Sequence, residues 1–104
     1  MAGNEEIQEI SRFFKVMSDP TRLNILYLLK EEKRNVSEIV ELTGMEQSAI
    51  SHQLRILKDS HLVRSNRSGK SMIYQLDDAH IFDILEQVKT HINERKITDD
   101  GLKA

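Results

Sequence analysis

The fold is decided by residues 35–57, which read NVSEIVELTGMEQSAISHQLRIL. Asn35 and Glu38 have the spacing of a capping box, which predicts the start of a short helix there. Gly44 is placed to end that helix as a left-handed C-cap residue. A second helix is predicted over residues 45–58. Its inner face carries Ile50, Leu54 and Leu57. Two short helices joined by a tight glycine turn make a helix-turn-helix.

Two further helices are predicted upstream of this motif. Residues 6–17 carry apolar side chains at helical spacing. The next helix begins at Asp19-Pro20, because Asp19 can cap free backbone amides and proline suits the first helical position. Its apolar residues, which run from Leu23 to Leu29, predict that it is buried.

Downstream of the motif, the hydrophobic period changes to that of strands. Residues 62–64 and 72–76 are strand-like and flank a polar, basic loop that contains Gly69, which indicates a β-hairpin. Asp77-Asp78 then cap a last helix. The predicted order is α-α-α-α-β-β-α, a mainly α winged helix-turn-helix in which the hairpin is the wing. We expect one domain over residues 1–97 and a loose C-terminal tail over residues 98–104.

Composition narrows the class of protein. The chain has 104 residues, no cysteine and 38% hydrophobic residues. The lack of cysteine excludes a disulfide scaffold, a cysteine zinc finger and a thiol nucleophile. No apolar run approaches the length of a membrane span, and the acidic N-terminus does not read as a signal peptide, so a cytoplasmic protein is expected. A chain of this size forms a thin core, which favours self-association.

Charge is unevenly distributed along the chain. The formal net charge of −2 is the sum of −3 over residues 1–46, +4 over residues 47–73 and −3 over residues 74–104. A basic window between acidic flanks is the electrostatic footprint of a nucleic-acid binder. An ordinary solvated face would give the same charge count.

The second helix of the motif carries the residues expected to read DNA. In a helix-turn-helix this helix enters the major groove with its N-terminal side chains nearest the bases. The predicted DNA-binding residues are Gln47, Ser48, Ser51, His52 and Arg55 on this helix and Arg67 and Lys70 on the wing. Four of them share one helical face, opposite the apolar one: Ser48, Ser51, His52 and Arg55. An amphipathic surface helix is the alternative for the helix taken alone.

The last helix carries two pairs of potential metal ligands. Asp78 and His80 lie at its start, and His91 and Glu94 lie near its end. The eleven residues between the two histidines span roughly 16 Å along a helix, so one chain cannot bring them to the same ion. Their angular positions nevertheless almost coincide. The alternative is that both are ordinary surface histidines.

A symmetric homodimer would solve this geometry. Two antiparallel copies of the last helix bring Asp78 and His80 of one chain to His91 and Glu94 of the other. The apolar stripe beside them is the predicted dimer seam, formed by Ile81, Ile84 or Leu85, Val88 and Ile92. Two nitrogens and two carboxylates suit Zn(II), with Co(II) as an alternative, whereas Ni(II) usually needs more ligands. A two-fold axis also presents two reading helices to a palindromic operator in double-stranded DNA.

An enzyme is not expected. A zinc hydrolase keeps an open coordination position, and four protein ligands on a dimer seam leave none; no small-molecule substrate is predicted. A winged-helix domain that binds a protein, or a regulator that responds to a non-metal signal, remains the alternative function.

The motifs resemble those of the ArsR/SmtB family of metal-sensing repressors over roughly residues 5–95. The resemblance rests on residues 47–57, on the wing from Leu62 to Tyr74 and on the Asp19-Pro20-Thr21-Arg22 entry to the second helix. The family's thiolate site is absent, since its position reads Asn35-Val36-Ser37. The complete Asp78, His80, His91 and Glu94 pattern is similar to the zinc- and cobalt-responsive, CzrA-type members.

The resemblance implies a mechanism. A metal-free dimer would bind its operator and repress genes for metal efflux. Binding of Zn(II) or Co(II) at the paired C-terminal helices would lower the affinity for DNA and permit transcription.

Overall fold

A computed structural model describes the backbone of residues 1–103 and the side chains of residues 1–97. Five helices and three short strands follow one another within these described residues. They are α1 (Asn4–Met17), α2 (Pro20–Glu31), β1 (Arg34–Asn35), α3 (Val36–Thr43), α4 (Gln47–Asp59), β2 (Val63–Ser68), β3 (Ser71–Leu76) and α5 (Ala79–Lys103). The predicted winged helix-turn-helix is confirmed. The side chains of the predicted tail, residues 98–104, lie outside the described part.

Side-chain caps mark the starts of α2 and α3, as predicted. The Asp19 carboxylate accepts a hydrogen bond from the Arg22 amide at 3.0 Å, at the start of α2. At α3 the capping box is complete: the Asn35 side chain accepts from the Glu38 amide at 2.8 Å, and the Glu38 carboxylate accepts from the Asn35 amide at 3.0 Å. Gly44 ends α3 with φ 71°, a conformation that costs glycine little because it has no Cβ.

The sheet has one strand more than predicted. The strand order is β1-β3-β2 and both pairings are antiparallel, with Arg34 opposite Tyr74 in the added pair. No strand is predicted at Arg34-Asn35, because two residues are too few to show a period of two. β1 joins the start of α3 directly to the wing.

The hairpin is tighter than predicted. β2 and β3 remain paired as far as Ser68 and Ser71, so the loop contains only Gly69 and Lys70 rather than residues 65–71. Gly69 has φ 62°, which suits the first position of a two-residue hairpin loop. Residues 66–68 at the outer end of β2 and Ser71 at the start of β3 are polar and exposed, so the sequence pattern there indicates a loop. In consequence Arg67 is a strand residue and only Lys70 lies at the tip.

The core is formed by α2, the inner faces of α3 and α4, the start of the wing and the first turns of α5. Its buried apolar side chains are Met17, Ile25, Leu26, Leu29, Ile39, Ile50, Leu54, Leu57, Leu62, Val63, Ile81 and Leu85. The dimer-seam prediction needs correction here, since Ile81 and Leu85 pack into this chain's own core. Val88 and Ile92, from the same predicted seam, are 47% and 48% exposed.

Candidate nucleic-acid interface and metal centre

The outer face of α4 is polar and open to solvent. Gln47, Ser48, Ser51, His52 and Arg55 are all exposed, as a helix that reads a groove requires. The opposite face is fully buried, with Ile50, Leu54 and Leu57 each at 0% exposure. Apolar packing on its inner face therefore holds α4 in place, while its predicted DNA-binding side chains are exposed to solvent.

The wing adds positive charge beside this helix. Arg67 and Lys70 are both exposed, Arg67 near the end of β2 and Lys70 in the hairpin loop. Arg64 is also exposed on β2, but successive strand residues point to opposite faces, so Arg64 lies on the other face from Arg67.

One polar residue of α4 was not singled out in the sequence. Gln53 is half-buried, and its side-chain oxygen accepts a hydrogen bond from Arg22 Nη1 at 3.2 Å. The two residues are 31 positions apart, and no local pattern in the sequence links them. The polarity of Gln53 beside the buried Leu54 is the only signal that could have indicated a partner.

Asp78 and His80 form a pair at the start of α5. One carboxylate oxygen of Asp78 accepts hydrogen bonds from the backbone amides of His80 (2.8 Å) and Ile81 (3.3 Å). The other lies 3.3 Å from Nδ1 of His80. The hydrogen bond with the His80 side chain lowers the pKa of Asp78, and the two backbone amides lower it further. An ionised carboxylate therefore faces an imidazole nitrogen at the surface.

His91 and Glu94 form the second pair, three residues apart on the exposed surface of α5. His91 lies eleven positions along the helix from His80, about 16 Å along the axis, and Glu94 lies one turn further. Within the described part of one chain, no three His, Cys, Asp or Glu side chains lie close enough together to hold a metal ion. Each pair thus offers one nitrogen donor and one carboxylate, which is half of a tetrahedral site.

The remaining histidines lie on or next to α4. His52 is exposed on the reading face, and His61 is exposed just beyond the C-terminus of the helix. His61 has φ 60°, a left-handed conformation that is uncommon for a residue with a Cβ. Neither histidine has a carboxylate beside it in the described ion pairs.

None of the helices in the described part of the chain combines the length and the apolar character needed to cross a membrane.

Comparisons with known proteins identify relatives of the chain. Residues 19–65 match the model of the bacterial regulatory protein, arsR family. The chain is 32% identical over 90 residues to a transcriptional repressor SmtB homolog of Synechocystis sp., covering 86% of this chain and 68% of the relative. It is 37% identical over 83 residues to the HTH-type transcriptional regulator NmtR of Mycobacterium tuberculosis, covering 80% and 69%.

A solved structure supports the same relationship. The homodimeric winged helix-turn-helix DNA-binding domain Mb0332 of Mycobacterium bovis, a possible ArsR-family transcriptional regulator, superposes with a TM-score of 0.82. The two share 28% sequence identity, over 91% of this chain and 93% of that one. The likeness covers the wing and the helices on both sides of it.

Proposed function

Because the chain belongs to the arsR family of bacterial DNA-binding regulators, we propose that it is a metal-responsive transcriptional repressor. In this proposal the metal-free homodimer binds a palindromic operator. Zn(II), or Co(II) in its place, binds at the paired α5 helices and lowers the affinity for DNA. The observation that carries the proposal is the pair of half-sites on α5, Asp78 with His80 and His91 with Glu94.

The DNA-binding half of the proposal rests on exposure and charge. The polar side of α4 is open to solvent, and residues 47–73 carry a net charge of +4. Gln and Arg side chains can bond to the edges of adenine and guanine in the major groove. Exposed wing cations would neutralise phosphates next to that groove, which strengthens binding without reading sequence.

The metal half rests on the donor set. Asp78 is ionised and 3.3 Å from His80 Nδ1, so the first pair is pre-assembled on a helix start. Because His91 and Glu94 are too far along α5 to complete that set, the complement must come from a second chain. Two imidazoles and two carboxylates fit a tetrahedral zinc site, and a bound ion would join the two α5 helices at both ends of their contact.

A second copy also explains the exposed apolar surface of the terminal helices. Apolar residues that are at least 40% exposed occur on both α1 and α5. They are Ile7, Ile10 and Phe14 on α1 and Phe82, Val88, Ile92 and Ile97 on α5. Burying such surfaces in a homodimer is favourable. The NMR structure of the Mycobacterium bovis domain is described as homodimeric, and we propose the same state for this chain.

The repressor response is tested by metal binding and DNA binding together. Equilibrium dialysis against Zn(II) should give one metal per chain. An operator selected from random DNA by the metal-free protein should be released when Zn(II) is added. His91→Ala should keep operator binding and lose the release, since one nitrogen donor is missing. Gln87→Ala, at an exposed α5 position outside both pairs, is the matched control.

Two outcomes would contradict the proposal. Zinc-dependent release by His91→Ala would remove that residue from the site. If the protein binds the operator but takes up no Zn(II), the alternative function is supported, that of a winged-helix regulator that responds to a non-metal signal. Metal affinity should also fall between pH 7 and pH 5, because protonated imidazoles cannot ligate.

A further inference from the structure

Arg22, in the first turn of α2, forms hydrogen bonds to the cap of its own helix and to two other helices. Its backbone amide donates to the Asp19 carboxylate at the start of α2. Its Nε donates to the Val16 carbonyl oxygen at 2.8 Å, in the last turn of α1. Its Nη1 donates to the side-chain oxygen of Gln53, on α4, at 3.2 Å. One half-buried guanidinium therefore links the end of α1 to the predicted reading helix.

The contact with α1 is favourable in itself. Val16 carries one of the last carbonyl groups of α1, which have no partner within the helix. A cation at a helix C-terminus also interacts favourably with the helix dipole. The guanidinium is therefore held in place from the α1 side, and its planar shape leaves Nη1 in a set direction toward Gln53.

The contact with α4 is different in kind from the rest of that helix's packing. The inner face of α4 is held by Ile50, Leu54 and Leu57, and apolar packing has little directional preference. Among the described residues, the bond from Arg22 to Gln53 is the only side-chain hydrogen bond between α4 and another helix. It is therefore the contact best suited to set the rotation of α4 about its axis.

Small rotations matter at this position. A helix with side chains has a radius of about 5 Å, so a rotation of about 20° displaces the tips of its side chains by roughly 2 Å. Hydrogen bonds to base edges tolerate a few tenths of an ångström. Gln53 adjoins His52 and is two residues from both Ser51 and Arg55, so a shift at Gln53 moves all three.

We propose that Arg22 is a positioning residue for DNA recognition, which sets the rotation of α4 relative to α1 through Gln53. This inference rests on the proposed DNA-binding function. Arg22 does not touch DNA in this view; it acts through the helix that does. Loss of the link should therefore lower the affinity for the operator more than the affinity for unrelated DNA.

The test compares operator and non-specific DNA for matched variants. Arg22→Lys keeps the charge but cannot reach Val16 and Gln53 together, because lysine lacks the guanidinium fork. We expect its operator affinity to fall about tenfold, its non-specific affinity to stay within twofold, and its salt dependence to be unchanged. Arg12→Met, which removes an exposed cation lining the same cavity as Arg22, is the control; we expect it to keep operator discrimination.

A double-mutant cycle separates positioning from direct contact. If Gln53 acts only through Arg22, Gln53→Met should lower operator affinity as Arg22→Lys does, and the double variant should be no weaker than either single one. Effects that multiply would show that Gln53 contacts DNA itself and would overturn the inference. Equal operator affinity of Arg22→Lys and the parent protein would also overturn it.

Two controls keep this test separate from folding and from the proposed function. Circular dichroism and thermal unfolding establish that each variant is folded at the assay temperature. A parent protein that does not distinguish its selected operator from other DNA would refute the proposed function. If the parent distinguishes them and the affinity of the variants falls equally for both DNAs, only the role of Arg22 is refuted.

Discussion

At the scale of single residues, Ser65 and His61 stand out among the described residues, one for its side chain and the other for its backbone. The Ser65 hydroxyl is buried in the wing and has no hydrogen-bond partner among the described residues. His61 adopts a left-handed backbone conformation where α4 meets β2. Buried unpaired polar groups and left-handed residues with a Cβ each carry a cost in free energy.

Ser65→Ala should stabilise the protein. The substitution removes a buried hydroxyl that makes no hydrogen bond, and we expect the free energy of unfolding to rise by about 1 kcal/mol. Urea denaturation followed by circular dichroism measures this. Ser68→Ala alters an exposed serine of the same strand and should give no such gain. Destabilisation by Ser65→Ala would mean that the hydroxyl has a partner in solution.

His61→Gly should also stabilise the protein. Glycine has no Cβ to clash at φ 60°, and after its extra chain entropy the gain should be about 0.5–1 kcal/mol. Thermal unfolding of His61→Gly and His61→Ala separates the causes. The alanine variant loses the imidazole but keeps the Cβ, so a similar gain in both would show that backbone strain is not the reason.

At the scale of secondary-structure elements, α2 forms side-chain hydrogen bonds and an ion pair with α5 and β1. Near its end, the Tyr27 hydroxyl donates to the Leu85 carbonyl oxygen of α5 at 2.8 Å. Lys30 forms an ion pair with Glu86 of α5. Arg34 Nε donates to the Leu28 carbonyl oxygen at 3.0 Å, which caps α2 from β1. These bonds place the start of α5 against the core and leave the rest of its length projecting.

Glu86→Gln should destabilise the protein in a pH-dependent way. The hydrogen bond and charge of Lys30 lower the pKa of Glu86 below its ordinary value of 4.5. A lowered carboxyl pKa stabilises the folded state above that ordinary value, and the effect is lost as the pH falls through the lowered one. The difference in Tm between parent and variant should therefore be present at pH 7 and shrink below pH 4.5.

Asp83→Asn is the control for this effect. Asp83 is an exposed acid of the same helix and takes part in none of the described ion pairs. Its substitution should give no pH-dependent difference of this kind. A Glu86→Gln difference that stays constant from pH 7 to pH 3 would show that the ion pair with Lys30 does not contribute to stability.

The hairpin of β2 and β3 should act on DNA through charge. Arg67→Ala and Lys70→Ala each remove an exposed cation. The affinities for operator and for unrelated DNA should therefore fall by similar factors, and the slope of log K against log salt should decrease in magnitude by about 1. Electrophoretic shifts at several salt concentrations measure this. Lys33→Ala, at an exposed position just before β1, should leave the slope unchanged. An unaltered slope in the wing variants would exclude the hairpin from the interface.

At the scale of the whole molecule, the chain is elongated and incompletely covered. Its principal dimensions are 52 × 40 × 22 Å. Ile7, Ile10 and Phe14 of α1 and the part of α5 beyond Leu85 lie outside the core. The two half-sites lie along that same α5. A single chain thus leaves both its apolar surface and its metal donors incomplete, which is the reason for proposing a homodimer.

Val88→Asp should shift the protein toward the monomer. Val88 is 47% exposed in the single chain, so a carboxylate there costs little in the monomer but would be desolvated in a homodimer. Sedimentation velocity should show a lower association constant, and operator affinity should fall with it. Leu42→Asp changes an equally exposed residue on α3, 54% exposed, and should leave the association unchanged. Identical sedimentation of Val88→Asp and the parent would place the dimer contact elsewhere.

Much of the fold could be predicted because it depends on neighbours in sequence. The Asn35–Glu38 capping box, the Asp19 cap and the left-handed Gly44 are interactions over three or four residues, and all three are present. Strands were not predicted where a segment is very short or consists of polar residues. β1 has two residues, and residues 66–68 of β2 are all polar and exposed, so neither segment shows an apolar alternation.

The helix-turn-helix, the basic window and the spacing of the two donor pairs along α5 can all be derived from the amino-acid sequence. They follow from local capping, composition and helical geometry. Two features depend instead on the packing of distant elements: Ile81 and Leu85 enter the core while Val88 and Ile92 remain outside, and Arg22 bonds to Gln53. Burial depends on where the neighbouring elements end, and a hydrogen bond across 31 residues exists only after α1, α2 and α4 have packed.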